Sequence, residues 1–318
     1  MRVFITGATG VLGRQMVRQF LEKNHQAVGL ARDEKGAQKI QALGGKAVIG
    51  NIFDADSLAE EIGQADVVIH AATAIPTKIP CKPEDWAMND RLRREGTWAL
   101  TKAAEKIGAK TYIQQSVVWV GRPKNDSFFD ETTKIENPEG LYRSAFDGEQ
   151  IAFEAGAKSG FNVSVLRCGG FYSADATHTR IFAEGLLKRR LPLIGDGSAI
   201  SANIHVRDAA SAYVAAAEAG KSGLWHVTDD EPTSIKEMIL EFASKLDAPS
   251  PWRIPLWLAK LFVWKEVIEF FTRSTRTSNR LFKKEIGWAP RFPSFQKGLE
   301  EVFNTWRTEG FAGGGSVK

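Results

Sequence analysis

The feature that most constrains the fold of this chain is a glycine-rich turn close to its beginning. Residues 3–5 are apolar, residues 6–13 read TGATGVLG, and residues 14–21 have the pattern of a helix. Gly7, Gly10 and Gly13 therefore lie between a buried strand and a helix. A Cβ there would block the sharp bend and hold the backbone amides away from an anion at the positive helix N-terminus. The turn predicts a site for the pyrophosphate of a dinucleotide.

Short apolar strands alternate with helical segments through the first half of the chain. This alternation predicts a parallel sheet with crossover helices, a Rossmann-type, doubly wound α/β fold. After Gly169 the alternation breaks, resumes briefly, and gives way to a helical region rich in Trp. We expect strands at 3–6, 27–31, 48–50, 67–71, 111–120, 163–167, 204–206 and 224–227, and helices at 13–23, 88–107 and 148–158.

The break in the alternation predicts two lobes, each formed by two separate segments of the chain that cross from one lobe to the other. We expect residues 1–170 and 201–230 to form the NAD(P)-binding Rossmann domain. Residues 171–200 and 231–312 are expected to form a smaller, mostly helical substrate lobe. Residues 313–318 are glycine-rich and are predicted to be a flexible tail.

Composition and charge narrow the class of protein. With 43% hydrophobic and 25% charged residues, the chain is typical of a globular protein. Its net charge of +4 is spread along the chain, so nucleic acid is not an expected partner. Cys81 and Cys168 show no metal-ligand spacing, so no metal is expected. With no leader at the start, we predict a reduced, cytoplasmic protein.

The segment 252–271 is apolar and rich in Trp, but several charged residues interrupt it. That charge excludes a bilayer span. We predict an amphipathic helix on the substrate side, with a helix lying at a membrane surface as the less favoured alternative. The interrupting residues are Arg253, Lys260, Lys265, Glu266 and Glu269.

The end of the second strand indicates which dinucleotide binds. A carboxylate there would accept hydrogen bonds from the ribose 2′-hydroxyl of NAD, but Ala31 offers none. Arg32 instead presents a planar cation suited to a 2′-phosphate. Asp33 could turn inward and weaken that preference. The residues favour NADP(H) over NAD(H).

Eight segments in order make the chain resemble the extended short-chain dehydrogenase/reductase family, which includes sugar-nucleotide epimerases. The resemblance covers nearly the whole chain. It implies a nicotinamide cofactor, a small-molecule substrate and dimerisation through two long mid-chain helices. The segments are TGATGVLG (6–13), GNIFDADSL (50–58), DVVIHAAT (66–73), MND (88–90), LRCGGFY (166–172), GDG (195–197), IHVRDAA (204–210) and SNRLFKKEIGWAPRFPS (278–294).

The same resemblance implies which residues contact the cofactor. Asn51 departs from the family, which has Asp there to accept a bond from the adenine amino group; the Asn carbonyl can accept the same bond. Asn89 is implied to order the fold around the fourth strand. The implied cofactor residues are Gly7, Thr9, Gly10, Val11, Leu12 and Gly13 in the turn, Asn51 and Ile52, Ala71, Ala72 and Thr73 on the adenine-ribose side, and Gly169.

The catalytic pair of the family is incomplete in this chain. Active members place a Tyr four residues before a Lys, and a Ser upstream polarises the same carbonyl oxygen. Ser116 matches that Ser. Tyr142 is followed four residues later by Phe146; aligned instead on residues 147–149, the pair becomes Leu141 and Ala145. The Lys is absent in either register.

Other residues are candidates for the proton donor. Tyr172 is expected near the nicotinamide, where it could donate a proton, although a packed aromatic beside the cofactor is the favoured interpretation. His178 follows on the substrate side. Asp130 and Glu131 are candidate substrate contacts, whereas His205 and Asp208 look structural. Arg143 is expected to point away from the missing Lys, because it lies on another helical face.

Three functions remain open from the sequence. The leading hypothesis is an atypical NADP(H)-dependent reductase or epimerase-like enzyme that uses Ser116 with Tyr172 or Tyr142. The second is a non-redox enzyme of the same fold, such as a cyclase, dehydratase or isomerase. The third is a non-catalytic NADP(H)-binding or sensor protein with a partner surface around Trp252, Trp257 and Trp264. The aromatic C-terminal region predicts a small, apolar or aromatic carbonyl substrate.

Overall fold

A computed structural model describes residues 1–76, 82–135, 138 and 140–311. Cys81 and the predicted tail at 313–318 lie outside these residues. Within them, no helix is long and apolar enough to span a membrane, and no cluster of three or more His, Cys, Asp or Glu side chains is arranged to hold a metal.

A seven-stranded parallel sheet forms the centre of the fold, as the sequence predicts. Its strands are β1 (Arg2–Thr6), β2 (Gln26–Ala31), β3 (Lys46–Ile49), β4 (Val67–His70), β5 (Thr111–Val117), β6 (Asn162–Cys168) and β11 (Gly223–Val227). Their spatial order is β11, β6, β5, β4, β1, β2 and β3, so the strand order reverses between β1 and β4, as in doubly wound folds.

Helices pack on both faces of this sheet, and an apolar core fills each interface. The central strands β1 and β4 are buried on both sides, so they contain the continuous apolar runs VFI and VVI rather than alternating ones. The helices around this sheet are α1 (Val11–Glu22), α2 (Glu34–Gln41), α3 (Ala55–Ile62), α4 (Ala87–Arg91), α5 (Thr97–Lys106), α6 (Arg143–Ser159) and α8 (Val206–Ala219).

A third apolar core lies in the region predicted as the substrate lobe. Phe242, Phe295 and Trp306 are among its largest buried side chains. Phe282 and Trp288 pack instead into the core beside the sheet. The remaining elements are β7 (Gly170–Tyr172), α7 (Thr177–Leu187), β8 (Leu193–Ile194), β9 (Ile200–Ser201), β10 (Asn203–His205), β12 (Thr233–Ser234), α9 (Ile235–Lys245), β13 (Arg253–Ile254), α10 (Leu256–Ala259), α11 (Lys265–Thr272), α12 (Arg280–Ile286) and α13 (Phe295–Thr308).

The single helix predicted over 252–271 is wrong. This segment contains β13, which pairs with β8, followed by two short helices, α10 and α11. Pro255 is the N-cap of α10, and a helix cannot run through it from β13 because proline lacks an amide hydrogen. Trp257 and Phe262 are left exposed.

Two boundaries near the site also differ from the prediction. β5 ends at Val117, and residues 118–121 turn in a short 3₁₀ helix. The predicted helix at 88–107 is present as α4 and α5, but they are joined by one π-helical turn, Leu92–Gly96. Single π turns inside helices occur frequently at functional sites. This one places Arg93 beside the end of β5.

Candidate nucleotide-binding and active site

The glycine-rich turn has the close backbone contacts that require glycine. Gly7 has φ +75°, and a Cβ on it would lie 2.5 Å from the carbonyl oxygen of Ala71. A Cβ on Gly13 would lie 2.0 Å from the carbonyl oxygen of Gly7. These two glycines let α1 begin against the ends of β1 and β4.

Gly10 has a different environment from the other two glycines. It is exposed, its φ of −76° is open to any residue, and a Cβ would meet only the Gly7 carbonyl oxygen, at 3.2 Å. As the N-cap of α1 it offers no side chain to the first-turn amides, and that turn has no acidic residue. An uncapped N-terminus with an exposed glycine is a ready site for the pyrophosphate of a dinucleotide.

The end of β2 presents a cation beside this turn. Arg32 is exposed and, among the residues described, forms no hydrogen bond or ion pair. The carboxylate of Asp33 accepts a 2.7 Å hydrogen bond from the Gly36 amide and so caps α2. Asp33 therefore has a structural partner, and Arg32 remains free to meet a phosphate.

The predicted adenine-side residues lie at the ends of β3 and β4. Ile52 and Ala71 are buried, Ala72 is half-buried and Thr73 is exposed. The Asn51 side-chain oxygen accepts a bond from the Phe53 amide, which leaves one lone pair for a second donor. Asn89 orders the segment after β4, as expected, by accepting from the Ala74 amide at 3.1 Å.

Ser116 belongs to a buried polar network that joins three elements. Its hydroxyl donates to Glu149 on α6 at 2.5 Å. The same carboxylate accepts two hydrogen bonds from Arg167 on β6, at 2.8 and 2.6 Å. All three side chains are at most 2% exposed. The only proton of the hydroxyl is directed at Glu149, so its lone pairs remain for a donor on the other side.

A small cavity opens beside Ser116 at the carboxyl edge of the sheet. The Gln115 side-chain oxygen is buried there and, within the described part of the chain, has no hydrogen-bond partner. His70 lies below it, bonded to the Thr6 hydroxyl and the Leu92 carbonyl, and burial lowers its pKa to about 4. The other lining residues are Ala72, Thr73, Arg93, Gln114 and Val117.

Arg93 supplies a buried cation where the expected Lys is missing. Ala145 is buried and apolar, and Arg143 is exposed and paired with Asp147, as its helical face predicts. The Arg93 guanidinium donates to the Leu141 carbonyl at 3.1 Å and contacts the Ser144 hydroxyl at 3.4 Å. It thereby holds the start of α6 against the cavity.

Tyr142 stands next to this cation at the start of α6. Its ring stacks on Trp119, with centroids 6.2 Å apart and planes 17° from parallel. Burial raises the pKa of Tyr142, and the guanidinium of Arg122, 5.9 Å from the ring centroid, opposes that rise together with Arg93. The phenol is therefore a protonated group at neutral pH, in a cationic and aromatic setting.

Tyr172 lies in the third apolar core, away from the sheet. Its hydroxyl donates to the buried carboxylate of Asp229 at 3.2 Å, and its ring packs on Phe295 at 4.8 Å. Gly298 passes under the ring so closely that a Cβ would overlap the hydroxyl. The predicted role of Tyr172 as proton donor is not supported by this position, because the phenol is enclosed and already has an acceptor.

The remaining candidates all have partners within the chain. His178 is exposed and bonds to the Phe171 carbonyl. Asp130 accepts from Thr132, and Glu131 accepts from the His226 amide. The other three have structural contacts: His205 caps α8, Asp208 accepts from the amides of residues 291 and 292, and Gly169 passes against the backbone at Ala202.

A glycine-rich, anion-accepting turn at the carboxyl edge of a parallel sheet defines a nucleotide-binding protein of the Rossmann class. The profile of the NAD dependent epimerase/dehydratase family matches residues 3–227. The chain belongs to this family, and the resemblance to short-chain dehydrogenases/reductases is confirmed. The family depends on nicotinamide cofactors.

Three known proteins show the range of this similarity. A 3-diazoavenalumate denitrifying reductase from Streptomyces is 30% identical over 309 residues, covering 94% of this chain and 99% of its own length. A dTDP-glucose 4,6-dehydratase from Streptomyces venezuelae with NAD bound has a TM-score of 0.79 at 20% identity, covering 98% of each chain. A human epimerase family protein with NADPH has a TM-score of 0.79 at 17% identity, covering 96% of this chain and 99% of that one. The two solved structures share the fold, and they hold different nicotinamide dinucleotides.

Proposed function

We propose that this protein is an atypical NADP(H)-dependent reductase that acts on a small aromatic or apolar carbonyl compound. The observation that carries the proposal is the uncapped N-terminus of α1 behind the exposed Gly10. Close backbone contacts explain why residues 7 and 13 are glycine, but residue 10 has room for a side chain and its φ suits any residue. A ligand that binds the backbone amides at the start of α1 explains why residue 10 is also glycine.

The residues of the site fit an NADP(H) molecule. The amides at the start of α1, in the turn formed by Gly7, Thr9, Gly10, Val11, Leu12 and Gly13, would hold the pyrophosphate. Arg32 would pair with the 2′-phosphate, since no other group in the described chain occupies it. The unpartnered oxygen of Gln115 would accept a bond at the inner end of the site. When bound, the reduced cofactor supplies the hydride.

Tyr142 is the best-placed proton donor in this proposal. When a carbonyl is reduced, its oxygen must gain a proton. The raised pKa of Tyr142 keeps its phenol protonated, so it can donate that proton. Arg93 acts as a positioning residue because it fixes the backbone one residue before Tyr142. Ser116 would accept a hydrogen bond from the substrate side, since its proton is donated to Glu149.

An aromatic cluster supports an aromatic substrate. Trp119, Tyr142 and Phe270 form this cluster at the substrate side, with Trp119 in contact with both of the others. The Streptomyces relative, which covers nearly the same length, is named a 3-diazoavenalumate denitrifying reductase, and its name supports the reductase part of the proposal. Such aromatic surfaces select flat, apolar ligands.

The test is a titration of the purified protein with NADPH, NADP⁺, NADH and NAD⁺, followed by Trp and nicotinamide fluorescence. We expect selective binding of the phosphorylated pair, and then NADPH oxidation with at least one member of a panel of aromatic aldehydes and ketones. Failure to bind any dinucleotide would contradict the proposal outright. Tight NADPH binding without oxidation across the panel would remove the reductase part.

One observation favours a non-redox enzyme as the second candidate. The position expected for the Lys holds Ala145, which is buried, so the usual phenol-activating pair is lost. Such a site could still position a substrate for isomerisation or dehydration. Product formation without net NADPH oxidation would favour this candidate, whereas one NADPH consumed for each product would exclude it.

A further inference from the structure

Among the described residues, the Arg122 guanidinium has no ion-pair partner and no hydrogen-bond acceptor, and it lies 5.9 Å from the centroid of the Tyr142 ring. It follows the 3₁₀ turn that begins two residues after Ser116, and it is half-buried. Its Nη1 atom is fully buried and has no hydrogen-bond acceptor, and among the described residues Arg122 forms no ion pair. Burying an unpaired charged group is costly, so such a group is expected where a ligand supplies the missing anion.

The acidic groups near Arg122 are paired with other cations. Asp126 accepts from Arg273 at 3.3 Å, and Arg273 also donates to the Pro123 carbonyl. Glu269 lies 3.8 Å from Lys265 on the same helix. Arg122, Arg273 and Arg93 all act electrostatically on Tyr142 and favour an anion beside it, whereas Glu269 opposes them.

An aromatic surface adjoins the free guanidinium. Trp119 stacks on Tyr142 and lies 5.8 Å, centroid to centroid, from Phe270. Gly170, just beyond β6, faces the Trp119 indole, and a Cβ on it would lie 3.7 Å from the ring. The cluster therefore lies at the carboxyl edges of β5 and β6, where ligands bind in open α/β sheets.

We propose that Arg122 and the Trp119–Tyr142 pair form a substrate subsite for a planar aromatic carboxylate. Arg122 donates charge-assisted hydrogen bonds to the carboxylate, and the two rings contact the flat apolar part. The subsite rests on the proposed reductase function and specifies its substrate class: an aromatic compound that carries an acid group apart from the atom that is reduced.

The test compares trans-cinnamate with its methyl ester, which has the same ring and side chain but carries a methyl group in place of the charge. Each probe is titrated by calorimetry into the full-length protein saturated with NADP⁺. We expect the acid to bind at least about tenfold more tightly than the ester, as is usual for a hydrogen-bonded charged group. Arg122→Gln should abolish this preference, whereas Lys124→Gln, the same charge change at an exposed residue of the same loop, should retain it.

Equal affinity of the acid and the ester for the wild-type protein overturns the subsite, and this comparison does not depend on the folding of any variant. An equal loss of the preference for the acid in Arg122→Gln and Lys124→Gln also overturns it, because the preference then depends on overall charge. If NADP⁺ itself does not bind, the titration is repeated with the protein alone. A preference for the acid that depends on Arg122 would then keep the subsite and reject the reductase, whereas NADP⁺ binding with no acid preference would do the reverse.

Discussion

Ser116 donates its hydroxyl proton to Glu149, a residue 33 positions away in the chain, and Glu149 in turn neutralises the buried Arg167. The three side chains tie β5, β6 and α6 together at the edge of the site. Removing one member of a buried ion pair leaves the other charge without compensation. The network therefore supports the site only while it is complete.

The Glu149→Gln variant should lose about 3 to 5 kcal/mol of unfolding free energy, because Arg167 would stay buried without its counter-ion. Urea unfolding followed by circular dichroism measures this loss. Glu154→Gln is the matched control, since Glu154 is exposed on the same helix. A Glu149→Gln protein within about 1 kcal/mol of the wild type would show that the pair contributes little.

Gly13 and Gly10 in the turn should respond differently to alanine. Gly13→Ala should not fold stably, because its Cβ would meet the Gly7 carbonyl oxygen. Gly10→Ala should keep a melting temperature close to that of the wild type, since its backbone suits alanine, but bind NADPH at least about tenfold more weakly because the methyl group occupies the anion position. Unchanged NADPH affinity in Gly10→Ala would place the pyrophosphate elsewhere.

The fold was predictable because its signals are local, whereas much of the site depends on long-range contacts. The glycine turn and the apolar strands can be recognised within windows of ten residues, and the parallel sheet follows from their alternation. Arg93 is one of three arginines within residues 91–94, a pattern that resembles a solvated helix face, and it is buried in the π turn. Glu149 could not be paired with Ser116 from sequence spacing. The segment 252–271 was mistaken for one helix because its apolar periodicity was given more weight than its single proline, Pro255.

Arg32 should set the preference between the two dinucleotides. Arg32→Gln is expected to weaken NADPH binding at least about tenfold and leave NADH binding nearly unchanged, since only NADPH carries the 2′-phosphate. Fluorescence titration measures both affinities. Lys35→Gln, with the same charge change on the exposed face of α2, should have little effect. If the two variants behave alike, overall charge and not Arg32 determines the preference.

Arg93 should influence the ionisation of Tyr142. Burial raises the pKa of Tyr142 and Arg93 opposes that rise, so Arg93→Gln should raise the pKa further. Ultraviolet titration of tyrosinate, corrected by the same curve for Tyr142→Phe, isolates this one phenol among the four in the chain. Arg94→Gln is the control, because Arg94 points outward from the same turn and pairs with Asp147. An unmoved Tyr142 titration in Arg93→Gln would remove the proposed link between the two residues.

His70 should make the protein less stable in mild acid. Burial lowers its pKa to about 4, against 6.5 for a free histidine, so between these pH values the unfolded chain binds a proton that the folded chain does not. The resulting loss of unfolding free energy is small above pH 6.5, grows as the pH falls, and reaches about 3 kcal/mol near pH 4. Urea unfolding of wild type and His70→Asn from pH 7 to pH 4 tests this: the variant should be less stable at pH 7, because it loses bonds to Thr6 and Leu92, but should show a shallower decline. His178→Asn, at an exposed site, is the control and should keep the wild-type dependence of stability on pH. If His70→Asn also keeps that dependence, His70 binds protons equally in the folded and unfolded chains, which contradicts the prediction.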